Sequence, residues 1–262
     1  MRVFVLLSVL TVCFLNSASA QCVVQEAIRN GDFNDGYIPG DFDSDLTYAQ
    51  SAIDAKLAAN SCFYATGGHY YVSDNNQIFE CEGSAHQGTS FTPDFATYGI
   101  DGSSDKLLFV DPSTGSPEIF GQTVTVLPNQ NYYFSFWFNA INPPVPYFGA
   151  TIDGQNVPLT ATNNVSYTVE LVRVRLNPDG TRIEGPNGET LRDTSDVVVQ
   201  WVQYSGVGTS GTQTTVDVEL KPYSDVALTQ GVPLSGVDFA LDKFSLINSL
   251  HLFLRFSNLF IY

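Results

Sequence analysis

The side chains best suited to chemistry in this chain are its oxygen and nitrogen ligands, and the first of them occur as a spaced run. Asp41, Asp43 and Asp45 give the D-x-D-x-D pattern that opens a helix-loop-helix calcium loop. Such a loop needs glycine at its sixth position and glutamate at its twelfth, and Leu46 and Ala52 stand there instead. The calcium-loop reading fails on geometry. The three aspartates are expected on one face of an extended loop, as a solvated edge or a weak cation-attracting surface. His69 and His86 lack a third ligand at metal spacing and read as hydrogen-bonded or exposed structural residues. The chain has no G-x-S-x-G elbow, no H-E-x-x-H pair and no phosphate loop. Paired carboxylates for glycoside hydrolysis are set by spatial rather than sequential spacing, which keeps a hydrolase as the weakest of the alternatives.

Charge narrows the partners. The 262 residues carry 27 acidic and 11 basic side chains, for a formal charge of −16. Residues 1–20 hold Arg2, an apolar centre and the small residues Ser17, Ala18, Ser19 and Ala20, the pattern of a secretory signal peptide cut after Ala20. Without Arg2 the basic residues fall from 11 to 10 and the charge from −16 to −17. Such a surface repels nucleic acid and anionic lipid and attracts cations or basic partners, although solubility alone also accounts for acidity in secreted proteins.

Removing the leader takes Cys13 and leaves Cys22, Cys62 and Cys81. In an oxidising compartment a Cys62–Cys81 bridge would close a loop of about 20 residues and contribute about 3 kcal/mol. Cys22 is then odd: it pairs with another chain, stays free, or replaces one of the other two. C-x-x-C spacing is absent, which argues against a zinc or redox site. Asn164-Val165-Ser166 is a glycosylation sequon in a predicted loop.

These groups need a scaffold, and its most informative stretch is Gln122–Ala140. Thr123 to Val126 alternate polar and apolar, Pro128 to Asn131 supply turn residues, and Tyr132 to Phe138 are aromatic except for Ser135. That predicts two strands and their turn, a hairpin. In the second strand Tyr132, Phe134, Phe136 and Phe138 share one face and Tyr133, Ser135 and Trp137 the other, as in a central strand of a two-layer structure. Elsewhere Ala27–Tyr37 reads as a short strand entering a turn, Ala49–Ala59 as one short helix, and Asp153-Gly154 as a hairpin turn. Tyr167–Leu176 alternates and begins a hairpin insertion at about 170–196. Roughly ten strands separated by turns make the chain all-β, an antiparallel β-sandwich or jelly roll with that insertion and one short helix. Residues 248–262 form an apolar tail too short, and too interrupted by His251 and Arg255, to span a bilayer. A lipid-anchor signal would need a longer uninterrupted apolar run, and the tail otherwise docks as a last strand or helix or lies outside the fold.

Asn30-Gly31-Asp32-Phe33, the aromatic stretch to Phe138, Asp153-Gly154, Trp201 and Asp238-Phe239-Ala240-Leu241-Asp242 occur in an order that resembles the galactose-binding-like jelly rolls. They are most similar to secreted carbohydrate-binding modules of the type 4/9 group and related surface proteins, over about residues 27–247. The resemblance implies one domain over 21–247, no catalysis, and a structural calcium ion where the first strand meets the last. Carried over by position, Asp32 or Asn34 with Asp242 would hold it, though Asn34 stands where glutamate is common and Lys243 where a second acid is common. It also implies glycan binding by exposed rings among Tyr70, Tyr71, Trp137, Tyr147 and Trp201, whose flat faces stack on sugars.

The expected protein is therefore secreted, extracellular and not an enzyme, and it binds extracellular polysaccharide or matrix. The alternative is an acidic structural component of an extracellular matrix, even a calcified one, with carboxylates on a mineral surface. A clustered acidic face from Asp32 to Asp45 would favour the matrix role; an exposed aromatic platform would favour glycan recognition.

Overall fold

The chain is seen in a computed structural model that describes residues 26–49, 68–73, 100, 105–112, 117–140, 146–174, 183–189, 191–223 and 239–249. The leader, the 49–59 helix beyond Ala49, the three cysteines left after its removal, His86 and the tail beyond residue 249 lie outside the described residues.

Among the described residues eleven strands form two sheets. They are β1 (Thr47–Tyr48), β2 (His69–Ser73), β3 (Leu107–Asp111), β4 (Phe120–Thr125), β5 (Asn131–Ala140), β6 (Tyr147–Ile152), β7 (Gln155–Val157), β8 (Thr160–Val174), β9 (Arg192–Thr209), β10 (Thr215–Tyr223) and β11 (Phe239–Asn248). The seven-stranded sheet runs β1-β2-β3-β11-β5-β9-β8 and the four-stranded sheet β4-β10-β6-β7. From β3 onward the chain passes back and forth between the sheets, the winding of a jelly-roll sandwich. All pairings are antiparallel except β1 with β2.

β5 is central, between β11 and β9, as its two-faced pattern predicts. Tyr132, Phe134, Phe136 and Phe138 enter the core, and Tyr133, Ser135 and Trp137 turn outward. β10 alternates as strictly: Val216, Val218 and Leu220 are buried while Thr215 and Asp217 are exposed. The Asp153-Gly154 turn between β6 and β7 has φ of 50° and 71°, the left-handed pair that a two-residue hairpin turn requires.

Four sequence expectations are corrected. β4 and β5 are not a hairpin: β4 pairs with β10 and β5 with β11 and β9, so Leu127–Gln130 crosses between the sheets. Ser210 holds that crossing, its Oγ donating to the Leu127 carbonyl at 2.7 Å and accepting from the Gln130 amide at 3.1 Å. A turn signal marks a reversal but cannot name the strand that each arm pairs with. The β8–β9 hairpin begins at Thr160 rather than near 170, and Asn164 lies in β8, exposed, rather than in a loop. Residues 27–37 are successive turns instead of a strand, with Asn30 and Phe33 at positive φ. They are tied down by side chains. Gln122, 4% exposed, accepts from the Arg29 amide at 2.8 Å and donates to the carbonyls of Arg29 (3.2 Å) and Asp41 (2.5 Å).

A bulge in β11 sets the core. Phe239 and Leu241 face inward, the register shifts between Asp242 and Ser245 with Lys243 at φ 51°, and Phe244 and Leu246 then face inward. Phe244 stacks on Phe120 of the other sheet at 4.1 Å, on Phe136 at 5.6 Å, and meets the Phe33 ring edge-on at 5.8 Å. Replacing Phe244 by alanine is expected to cost about 3–5 kcal/mol. Urea unfolding would measure it, and a loss under about 1 kcal/mol would refute this central role.

Candidate functional site

The core-facing residues of the large sheet are spoken for, so its outer face is where β5, β9 and β11 can present chemistry. Their registers align three rows there: Tyr133 between Val207 and Ile247, Ser135 between Ser205 and Ser245, and Trp137 between Gln203 and Asp242. Tyr133 and Trp137 are half-buried, while Ser135 and Ser205 are 4% and 2% exposed. Four residues apart on one strand, the two rings stand about 13 Å from each other across a floor of small hydroxyls. The walls carry hydrogen-bonding groups. Gln203 Oε1 accepts from Asn163 Nδ2 at 2.5 Å, which leaves its amide NH₂ able to donate further. Ser205 Oγ donates to Thr162 Oγ1 at 3.3 Å, and Ser245 Oγ donates to Glu26 Oε2 at 2.5 Å.

The five ring candidates separate by burial. Tyr70 is in the core, 5% exposed, where burial and then Tyr37 push its hydroxyl pKa well up. Tyr71 and Trp201, 1% exposed each, are on the outer side of the large sheet but covered, with Tyr71 stacked on Phe109 at 4.8 Å. None of these three offers an open ring face. Trp137 is on the outer face just described, and Tyr147, 56% exposed, is on the outer face of the small sheet. The sequence assigned rings to faces by alternation but could not say which face is covered. Tyr133, Gln203 and the serine floor were missed because their registers with neighbouring strands carry no local signal.

The calcium candidates also separate. Asn34 donates from its amide N and from Nδ2 to the Asp32 carboxylate, and its own carbonyls accept from Lys106 N at 3.4 Å and Lys106 Nζ at 3.1 Å. Asp242 is fully buried at the bulge beside Asp105, which is 5% exposed. Asp242 Oδ1 accepts from the Lys243 amide at 2.6 Å, while its buried Oδ2 has no hydrogen-bond partner. Calcium takes six to eight oxygens, of which Asp242 and Asp105 could supply at most four, so the two carboxylates have the right donor chemistry for part of a calcium shell. Asp32 and Asn34 are instead engaged with each other and with Lys106. Among the described residues no three His, Cys, Asp or Glu side chains form a metal-binding group.

The D-x-D-x-D aspartates serve the turns. Asp41 Oδ2 accepts from Asn30 Nδ2, Asp45 Oδ2 accepts from the Glu118 amide at 2.8 Å, and Asp43 bridges Gly121 through its backbone.

No family model matches the chain, and no curated protein matches it. Solved structures do. The chain is similar to the CBM22-1 xylan-binding domain of Xyn10C from Paenibacillus barcinonensis, at 15% identity and TM-score 0.26 over 60% of this chain and 78% of that one. It is similar to a protein described under "CBM4 structure and function", at 12% identity and TM-score 0.30 over 85% and 99%. A third is the CBM22-1–GH10 portion of Clostridium thermocellum endo-1,4-beta-D-xylanase 10B complexed with xylohexaose, at 12% identity and TM-score 0.28 over 57% of this chain and 22% of that one. The sandwich fold is read from the chain's own two sheets. No helix among the described residues is long and apolar enough to cross a membrane.

Burial, then the charge of the neighbouring Asp105, push the Asp242 pKa up to about 9. The unfolded chain releases that proton near the ordinary aspartate value of about 4. The stability from protonated Asp242 is therefore complete below about pH 4 and lost as pH rises through about 9. In chelator, the melting temperature should fall between about pH 5 and about pH 9, and Asp242→Asn should flatten that fall. An unchanged slope in the variant would show that Asp242 is not its source.

Proposed function

We propose that the chain is a secreted, non-catalytic protein that binds an extracellular polysaccharide on the outer face of its seven-stranded sheet. The observation that carries this reading is the Tyr133–Ser135–Trp137 row. Two half-buried rings flank a floor of small hydroxyl side chains, with Gln203 as a polar wall. Flat rings take the apolar faces of sugars and the Gln203 amide takes sugar hydroxyls, above the buried serine floor. The formal charge of −16 supports an uncharged polymer over a polyanion or nucleic acid. Secretion is supported by the leader pattern of residues 1–20.

The matrix reading is second. Its support is an acidic face from Asp32 to Asp45 on which Asp32, Asp35, Asp43 and Asp45 are exposed, although Asp32, Asp41 and Asp45 each also accept a hydrogen bond within the turns. Calcium belongs to the proposal as a structural ion on Asp242 and Asp105, supported by the buried Asp242 Oδ2.

Two measurements test this. Retention of the purified protein on a panel of insoluble polysaccharides that includes xylan, beside calcium carbonate, should show binding to a polysaccharide. Trp137→Ala should weaken it about tenfold with unchanged unfolding. Retention on the mineral alone would replace this reading with the matrix one. Calcium should raise the melting temperature in wild type and not in Asp242→Asn, and equal shifts in both would remove the ion from this site.

A further inference from the structure

The small sheet carries its own aromatic face on the opposite side of the sandwich. Tyr147 is the one aromatic in the exposed class among the described residues. Tyr223 lies directly across the β6–β10 ladder from it. Gly149 is the next outward position on β6, and a Cβ there would collide with the Tyr223 ring, so that ring lies flat on the glycine backbone. Packing of this kind repairs a glycine in a strand, which accounts for Tyr223. Tyr147, across the ladder from Tyr223, keeps 56% of its area exposed.

The rows that follow are acidic. Gly149 pairs with Lys221, Thr151 with Glu219, and Glu219 also with Gly121 of β4, over which the Glu118 carboxylate folds. Lys221 Nζ lies 3.0 Å from Glu219 Oε2 and 3.8 Å from Glu118 Oε2. One ammonium thus serves two carboxylates, and Asp217, exposed in the next row beside Thr123 and accepting from its Oγ1 at 2.6 Å, adds a third. Glu118 registers the shortage of positive charge: burial first, and then Glu219, raise its pKa despite Lys221.

We propose that this face is a second glycan-binding surface, separate from the Trp137 face, and that it takes an amine-bearing polysaccharide. The paired tyrosines receive the apolar faces of the sugar rings. The Glu118–Glu219 carboxylates receive the sugar ammonium groups, completing a charge pattern that Lys221 leaves unbalanced. A polyanionic glycan is repelled by the same groups. With glycan surfaces on both sides of the sandwich, one molecule joins two polymer chains.

Titration calorimetry on the full secreted chain would use a glucosamine oligomer, its N-acetylated counterpart and poly-lysine as probes. The glucosamine oligomer should bind more tightly than the acetylated one, and poly-lysine, which has charge but no ring faces, should bind more weakly than the glucosamine oligomer. Tyr147→Ala, at an exposed position, should lower glucosamine-oligomer affinity about fivefold or more. Glu219→Gln should lower it for the charged oligomer only. Trp137→Ala should leave it unchanged, which separates this face from the other. No binding of the glucosamine oligomer, no effect of Tyr147→Ala, an equal loss in Trp137→Ala, or tighter binding of poly-lysine would each overturn the proposal.

Discussion

Much of this molecule depends on one extra residue in its last strand. A β-strand turns alternate side chains to opposite faces, so the inward positions Phe239 and Leu241 would ordinarily commit Lys243 and Ser245 to the core. The bulge at Asp242–Lys243 changes the parity, with Lys243 in the left-handed region, and brings Phe244 and Leu246 inward. Phe244 then joins both sheets and the amino-terminal turns: Phe120, Phe136 and Phe33 all meet its ring. The Phe244 amide donates to the Gly31 carbonyl at 2.8 Å, and a side chain at Gly31 would strike the Phe244 carbonyl. The glycine of the Asn30-Gly31-Asp32-Phe33 stretch is thus explained by backbone contact with the bulge.

Beside the irregularity lies an electrostatic cost. Asp242, on the outer side of the sheet opposite Trp137, is fully buried beside Asp105, where a carboxylate is stable only with a proton or a cation to balance it. Nearby, the amino-terminal segment is satisfied by neutral means. Gln122 receives and returns backbone hydrogen bonds with Arg29 and Asp41, and its amide is well matched because both of its ends find partners. Polar groups thus help fasten the edges of an aromatic core whose own contacts carry no direction.

The parts of this arrangement that the sequence displayed are those governed by local alternation. β5 and β10 were readable because each inward residue is apolar along the whole strand, and the Asp153-Gly154 turn because few residues accept its backbone angles. Pairing partners were not readable. Leu127–Gln130 has every mark of a hairpin turn, yet whether its arms pair together or with distant strands is decided by β10 and β11, about a hundred residues away. Burial on the outer face was hidden for a similar reason. Trp137 and Trp201 look alike in sequence, and only the assembled sheet leaves the first partly open and covers the second. The Asp32 and Asn34 side chains, read as ion ligands, turn out to be partners of each other because tight turns place neighbours within reach.

The β8–β9 pair extends beyond the sandwich. β9 last meets β5 at Val202, yet its ladder with β8 continues through Val165–Trp201 to Val174–Arg192. Among the described residues each strand of that ribbon has one neighbour, and β8 is the edge of its sheet. Its backbone bonds can therefore open without disturbing the Phe244 cluster, as a cooperative unit of low local stability. In amide hydrogen exchange the ribbon is therefore expected to exchange through local opening, ahead of a sandwich that exchanges only when the whole fold comes apart.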